Sequence, residues 1–220
     1  LSLAIASAAA ATAGSRLMRA HDPAHFEELS LVLEANIGDL DGEVVLHAET
    51  GQPIEKLALV SPTGQLMHMI DATGGGGIGL SELRLETGEP TVAEVQRVFP
   101  AGEYLVRAMS TTGQLFMDKV CISHELPTEW AILSPMDGDV IPRDGVLVEW
   151  STDSMASRYT LEIEDEEDEQ RMLATMQTGV SSFEVPASLL LPDTEYQVVV
   201  VAHAESGNRV VRELYFRTAP

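Results

Sequence analysis

From Glu28 onward, hydrophobic residues alternate with polar ones instead of recurring every three or four positions. Leu29, Leu31, Leu33 and Ala35 occupy every second place, as do Val44, Leu46 and Ala48, and then Leu57 and Leu59. The second half repeats the pattern at Val146, Val148 and Trp150, at Tyr159, Leu161 and Ile163, at Phe183 and Val185, and at Tyr196, Val198, Val200 and Ala202. A last run carries Val211, Leu214 and Phe216. Successive side chains of a strand point to opposite faces, so a period of two predicts half-buried strands. The runs are short and are separated by Gly, Pro, Asn or Asp at spacings of about eight to twelve residues, which predicts an all-β sandwich. No amphipathic helix longer than about ten residues is predicted. Thr91–Phe99 reads either as two helical turns or, from Val95, as a strand.

An internal repeat divides the chain. Phe99-Pro100-Ala101-Gly102-Glu103-Tyr104 aligns with Leu191-Pro192-Asp193-Thr194-Glu195-Tyr196, with Pro, Glu and Tyr matching at a constant offset of 92 positions. A Gly-containing turn follows each copy, at Gly113 and Gly207. A period of that length is one sandwich domain, far too long for a solenoid unit. Pro and polar residues interrupt the alternation at Ser123–Glu129. The expected organisation is therefore an apolar N-terminal arm or signal remnant with its linker (1–25), a first sandwich (26–126) and a second (127–220).

The second half carries a more specific pattern. Leu190-Leu191-Pro192-Asp193-Thr194-Glu195-Tyr196-Gln197-Val198-Val199-Val200-Val201-Ala202 resembles the L-x-P-x-T-x-Y-x-V-x-V-x-A strand of fibronectin type III domains. Trp150 resembles the buried Trp of that family's second strand, Tyr159 the Tyr of its third, and Phe216-Arg217-Thr218 its ending. The resemblance covers about 90 residues. It implies two tandem Ig-like or fibronectin type III-like β-sandwich domains, with Tyr196 making a corner bond. The first half shares only the Pro-x-x-Glu-Tyr corner and has no Trp at the second-strand position, so its likeness is to Ig-like or fibronectin-like sandwiches in general. Trp150, Tyr159 and Tyr196 are expected core residues.

Charge narrows the function. The 220 residues hold 13 Lys+Arg against 35 Asp+Glu, a formal net charge of −22. Phosphate contacts need a basic face, so nucleic acid is excluded as a partner, as is docking on anionic lipid through a polybasic patch. Lys56 and Lys119 are the only lysines. The single cysteine, Cys121, allows no intrachain disulfide and is expected to be a small buried hydrophobe in the run Val120-Cys121-Ile122. Residues 1–14, LSLAIASAAAATAG, are too short to span a bilayer. They resemble the apolar region and cleavage site of a secretory signal, or else form a retained arm that packs on a neighbouring subunit. Either reading places the protein outside the cytoplasm, with no membrane span in the mature chain.

Candidate chemistry is sparse. Asp39, Asp41 and Glu43 place three carboxylates at alternate positions, as in part of a calcium loop, although no bidentate Glu stands at the twelfth place. The same Asp and Gly residues also suit a turn. Met136-Asp137-Gly138-Asp139 is a weaker version of the same pattern. His21 and His25 would hold a transition metal if Asp22-Pro23-Ala24 were helical, but Pro23 favours an exposed linker. Glu162–Glu169 puts seven carboxylates in eight residues and is expected to be a solvated loop. Gly74-Gly75-Gly76-Gly77-Ile78-Gly79 satisfies G-x-G-x-x-G, but the following residues alternate like a strand, so a flexible hairpin loop is expected. No nucleophile elbow, metalloprotease helix or Cys/His pairing is present.

The expected protein is thus not an enzyme and binds no cofactor, calcium at Asp39, Asp41 and Glu43 being the one alternative. It is an extracytoplasmic structural or interaction protein with protein partners, self-associating through its N-terminal arm into a filament or surface layer. The rival expectation is an accessory module that binds calcium, another metal or polysaccharide.

Overall fold

The strands form where the alternation places them, with one long strand where two short ones are expected. The structure is a computed structural model and describes residues 22–165, 171–177 and 179–220. The apolar stretch 1–14, His21 and the centre of the acidic run (166–170) lie outside the described residues.

The first half contains β1 (Glu28–Asn36), β2 (Asp41–Val60), β3 (Leu66–Asp71), β4 (Leu80–Glu86), helix α1 (Val92–Val98), β5 (Gly102–Ser110) and β6 (Leu115–Ile122). β2 is 20 residues long because the expected strands at 44–48 and 57–59 are continuous. Its first leg pairs with β1 and β4, and its second leg with β3 and β5. Pairing shifts register between Glu49 and Ile54, around Gly51 and Pro53, where Pro has no N–H to give. The strand thereby passes from one layer to the other, a corner of the kind that joins sandwich sheets. Leu31, Leu33, Leu46 and Leu83 of one layer pack with Leu57, Leu59, Val106 and Phe116 of the other.

Two local expectations are settled here. Residues 92–98 are helical because Thr91 caps them: its side chain accepts from the Glu94 N–H, and the Glu94 carboxylate answers the Thr91 N–H. Val95 and Phe99 then drop into the core. The glycine-rich loop is not a hairpin. β3 and β4 flank it, but they pair with opposite legs of β2, so it crosses between layers. At its end Gly79 has φ +70, and a Cβ there would lie 2.9 Å from the Ile54 carbonyl oxygen; only glycine fits.

The second half contains β7 (Ile132–Ser134), β8 (Asp139–Ile141), β9 (Leu147–Trp150), β10 (Ala156–Asp165), β11 (Arg171–Gln177), β12 (Ser182–Glu184), β13 (Glu195–Ala204) and β14 (Arg209–Thr218). One layer runs β12-β9-β7, and the other runs β11-β10-β13-β14 with β8 parallel on β14. Between them lie Val148, Trp150, Tyr159, Leu161, Tyr196, Val198, Val200 and Phe216. Trp130, which the alternation does not single out, joins them. It meets Tyr159 edge-on at 5.7 Å and carries the Arg212 guanidinium 5.3 Å above its ring.

The repeated tyrosines occupy matching places. Tyr104 donates its hydroxyl hydrogen to the Pro100 carbonyl at 2.9 Å, while the Tyr196 hydroxyl accepts the Leu191 N–H at 2.7 Å. Each side chain bonds back to the corner just before its own strand, which ties strand to loop in sandwich domains. Burial raises both phenols, that of Tyr104 to about 12.

Cys121 is a correction. It is exposed, not buried. Phe116 and Ile122 are buried and Val120 packs partly against the core, so a strict period of two turns Cys121 outward beside Glu103.

The two halves share a sheet. β1 pairs antiparallel with β2 and parallel with β14 through Glu34–Arg209, Ala35–Val210 and Asn36–Val211. Ala35 packs in the second half's core, and Leu126 packs against both cores.

Candidate functional site: the junction and its acidic cleft

Where β1 meets β14, one side chain gathers three segments. The turn 205–208 between β13 and β14 lies against β1, and Gly207, at φ +90, stands where a Cβ would come 2.9 Å from the Val32 side chain. Next to it Asn208 is 1% exposed. Its Oδ1 accepts the Leu33 N–H at 2.9 Å. Its Nδ2 donates to the carbonyls of Ser123 at 2.9 Å and Glu125 at 3.0 Å, and to the Ser123 hydroxyl at 3.0 Å. Strand, connecting segment and turn are thus held by one amide. Each of these buried backbone groups needs a partner, and the amide supplies it.

A row of charge crosses the same junction. Arg158, His203, Arg209, Glu34 and Glu43 stand directly opposite one another across β10, β13, β14, β1 and β2. The guanidinium groups of Arg158 and Arg209 belong to the second half and the carboxylates to the first. Arg209 and Glu34 form an ion pair across the parallel strands. His203 lies 3.3 Å from Arg158 and 3.1 Å from the Thr160 hydroxyl. Burial, with Arg158 and Arg209 beside it, pushes the His203 imidazole down to about 4. At the other end, burial and the Glu34, Glu86 and Glu89 carboxylates push Glu43 up to about 7, against the pull of Arg209.

These two shifts act on stability in opposite directions. The Glu43 pKa rises on folding, so its favourable contribution is present below about pH 4.5 and is lost as pH climbs through about 7. The His203 pKa falls on folding, so its contribution is present above pH 6.5 and is lost as pH drops toward about 4. Stability should therefore peak in the mildly acidic range. Glu43→Gln is expected to leave the melting temperature at pH 4 unchanged and to raise stability at pH 8 by about 1 kcal/mol, after discounting for solvent screening of a half-open group. Paired thermal melts at the two pH values check this, and equal gains at both would refute it.

The carboxylate end opens into a shallow cleft of about 80 Å³, lined by Glu34, Asn36, Asp39, Asp41, Glu43 and Glu89. All three calcium candidates therefore share one cleft. Asp39 lies in the turn after β1, where its carboxylate accepts from the Asn36 amide at 3.0 Å. Among the described residues, no three His, Cys, Asp or Glu side chains are placed to hold a metal ion. Met136–Asp139 is a turn: Asp139 accepts the Met136 N–H, and Asp137 accepts the Tyr215 N–H.

The His21 and His25 spacing has no helix to act through, because residues 22–27 contain none. Ala24 instead runs beside β6 in parallel, its N–H bonded to the Leu115 carbonyl and its own carbonyl to the Met117 N–H. His25 is exposed and lies 2.7 Å from Asp118. Against the upward push of burial, His25 and the Phe26 N–H hold that carboxyl below its ordinary range. His47 sits between Glu28 and Glu82, and His68 stacks on Phe99.

The solved structures this chain is similar to include fibronectin type III modules. The fibronectin(III)-like modules of Clostridium thermocellum CbhA match at 10% identity and a TM-score of 0.34, over 88% of this chain and 94% of theirs. A segment of two fibronectin type III domains from chicken tenascin matches at 11% and 0.33, over 87% and 98%. The FN1–FN3 domains of chicken CNTN1 match at 14% and 0.37, over 90% and 69%. No protein-family model and no curated protein matches the sequence.

Asn208 and Trp130 escaped the sequence reading. Ser206-Gly207-Asn208 carries an ordinary turn signal, and nothing local marks its Asn as turned inward. Trp130, one of two tryptophans, was the stronger available sign, since so large an aromatic side chain is highly buried on average.

Proposed function

We propose that the chain is a non-enzymatic, extracytoplasmic structural and interaction module. In this reading residues 26–126 and 127–220 are two sandwich domains in tandem, and the N-terminal stretch is an assembly arm. The observation that supports it is the course of Ala24 along β6. The segment leading into β1 already binds a sheet edge, through main-chain bonds that any extended sequence can make. Residues 1–14 continue this segment with apolar side chains, suited to adding a strand to a neighbour. Among the described residues, β4 and β11 each pair on one side only and offer such an edge. A contact of this kind between different surfaces propagates into a fibre or layer.

Main-chain bonds and apolar burial withstand salt, which sets the test. Light scattering at about 1 μM protein in about 1 M NaCl, where charge is screened within about 3 Å, should show particles larger than a monomer. A chain lacking residues 1–21 should then scatter as a monomer. Equal particle size for the two chains rejects the arm.

A further inference from the structure

The layers of the first sandwich part along two sides, and the chain covers one of them. On the side of β1 and β6, residues 24–27 pass from one layer to the other. Ala24 bonds to β6, and the Glu27 N–H donates to the Glu49 carbonyl of β2 at 2.9 Å. Ala24 and Phe26 pack against the core there, with the Phe26 ring 6.0 Å from that of Phe116. On the other side lie β3 and β4, each of which pairs only with β2 among the described residues. Ile70 and His68 stand opposite the buried Leu57 and Leu59, and Leu85 opposite the buried Leu46, so all three face inward. Ile70 and Leu85 are nevertheless only half-buried, and His68 is exposed, its ring stacked on Phe99 at 5.9 Å. A cavity of about 70 Å³ opens there, lined by Leu31, Leu46, Leu59, Leu85, Phe99 and His68. So apolar a lining favours an aliphatic group over water.

The two edges on this side differ. β4 carries exposed Glu82, Arg84 and Glu86, and charged side chains are a common guard against further pairing. β3 has no Asp, Glu, Lys or Arg from Leu66 to Ile70. The Ala72 N–H donates to the Glu55 carbonyl of β2. The two-residue period of a strand therefore turns the Ile70 N–H toward β2 and the Met69 N–H away from it, to the open edge. The N-terminal arm fits this edge by its own pattern. In Leu1-Ser2-Leu3-Ala4-Ile5-Ala6, large apolar residues alternate with small ones. An extended strand of that sequence sets Leu1, Leu3 and Ile5 on one face. It equals β3 in length, which is six residues. The arm joins the sandwich beside β6, on the covered side, so the β3 edge lies across the sandwich from it.

We propose that residues 1–6 of a second copy pair with β3, becoming the outermost strand of the β3–β2–β5–β6 layer and filling the cavity at Phe99 with an aliphatic side chain. Main-chain bonds supply affinity, and the cavity supplies register. Donor arm and acceptor edge are different surfaces on opposite sides, so the contact is head-to-tail and each added copy leaves one edge and one arm free. The inference rests on the reading of residues 1–14 as an assembly arm and names the edge that receives it.

Met69→Pro on the full-length chain tests it. The exchange removes the outward N–H and spares the pairing with β2, and Pro is tolerated on an edge strand. Met69→Ala keeps that N–H. In sedimentation equilibrium Met69→Pro should associate at least about tenfold more weakly than the parent, and Met69→Ala like the parent. Complementation is the second readout. Met69→Pro keeps the arm, and a chain lacking residues 1–21 keeps the β3 edge. Each alone should be a monomer, and an equimolar mixture should form a one-to-one complex and nothing larger. Circular dichroism confirms folding first. Should Met69→Pro not fold, Met69→Lys, which sets a charge on the edge, takes its place. The two readings fail separately. If the parent associates more than the truncated chain but Met69→Pro associates like the parent, the arm binds elsewhere and only the β3 inference falls. If parent and truncated chain are both monomers, the arm joins no second copy and both fall. Met69→Ala weakened as much as Met69→Pro, or a mixture that stays monomeric, also overturns the proposal.

Discussion

Replacing Asn208 with alanine is expected to destabilise the protein by about 3 kcal/mol. The amide is buried and satisfies the Leu33 N–H and the carbonyls of Ser123 and Glu125. Alanine leaves these groups without that partner, and an unsatisfied buried polar group costs about 1–3 kcal/mol. For a chain of this size the melting temperature should fall by roughly 6–12 °C. Asn208→Asp keeps the acceptor for Leu33 but turns a carboxylate toward two carbonyls, so it should be at least as damaging. The location matters as much as the size of the effect. The amide ties β1 to the β13–β14 turn, so the parent should melt in one calorimetric transition and Asn208→Ala in two. A single transition with a loss below about 1 kcal/mol would show that the parallel β1–β14 pairing holds the halves together without it.

Trp150→Ala is expected to cost more, about 4 kcal/mol, because it empties the centre of the second core. Trp150 is 1% exposed and packs on Tyr159 at 5.7 Å. Truncating an aromatic in a close-packed interior loses both transfer energy and the contacts around the cavity left behind. Trp150→Phe isolates the polar contribution. The indole N–H is buried and has no hydrogen-bond partner among the described residues. Phenylalanine therefore forfeits area but no hydrogen bond, and the expected loss is about 1–2 kcal/mol. Urea unfolding followed through the second half's fluorescence or by circular dichroism measures both. A Phe variant as damaged as the Ala variant would mean that the indole nitrogen does have a partner.

The tyrosine corners show what a repeated motif can reveal. The Pro-x-x-Glu-Tyr match predicted that Tyr104 and Tyr196 are equivalent, and each bonds back to its own corner. The helix over Val92–Val98 was also visible in principle, since Thr91-Val92-Ala93-Glu94 spells a capping box that decides between helix and strand. Cys121 was misplaced for a different reason. Its apolar neighbours suggested burial, but Val120 and Ile122 use the inward direction and leave Cys121 the outward one. The acidic cleft was half legible. Asp39, Asp41 and Glu43 are neighbours in sequence, but Glu34 and Glu86 reach Glu43 only through strand pairing and Glu89 through the segment after β4, and together with burial, the larger cause, they raise its proton affinity.

The sequence by itself determined most of the strands, the side of nearly every strand that is buried, the two tyrosine corners and the acidic balance of charge. These depend on period-two alternation and on short-range turn chemistry, which act within a few residues. Only the tertiary structure decided that β2 crosses from one layer to the other, that β1 runs beside β14, and that Asn208 is buried where they meet. It also decided that β3 and β4 flank the same side of the first sandwich. Each of these depends on which strands become neighbours. Pairing partners far apart along the chain are chosen by closure of the whole core and leave no mark on the residues between them.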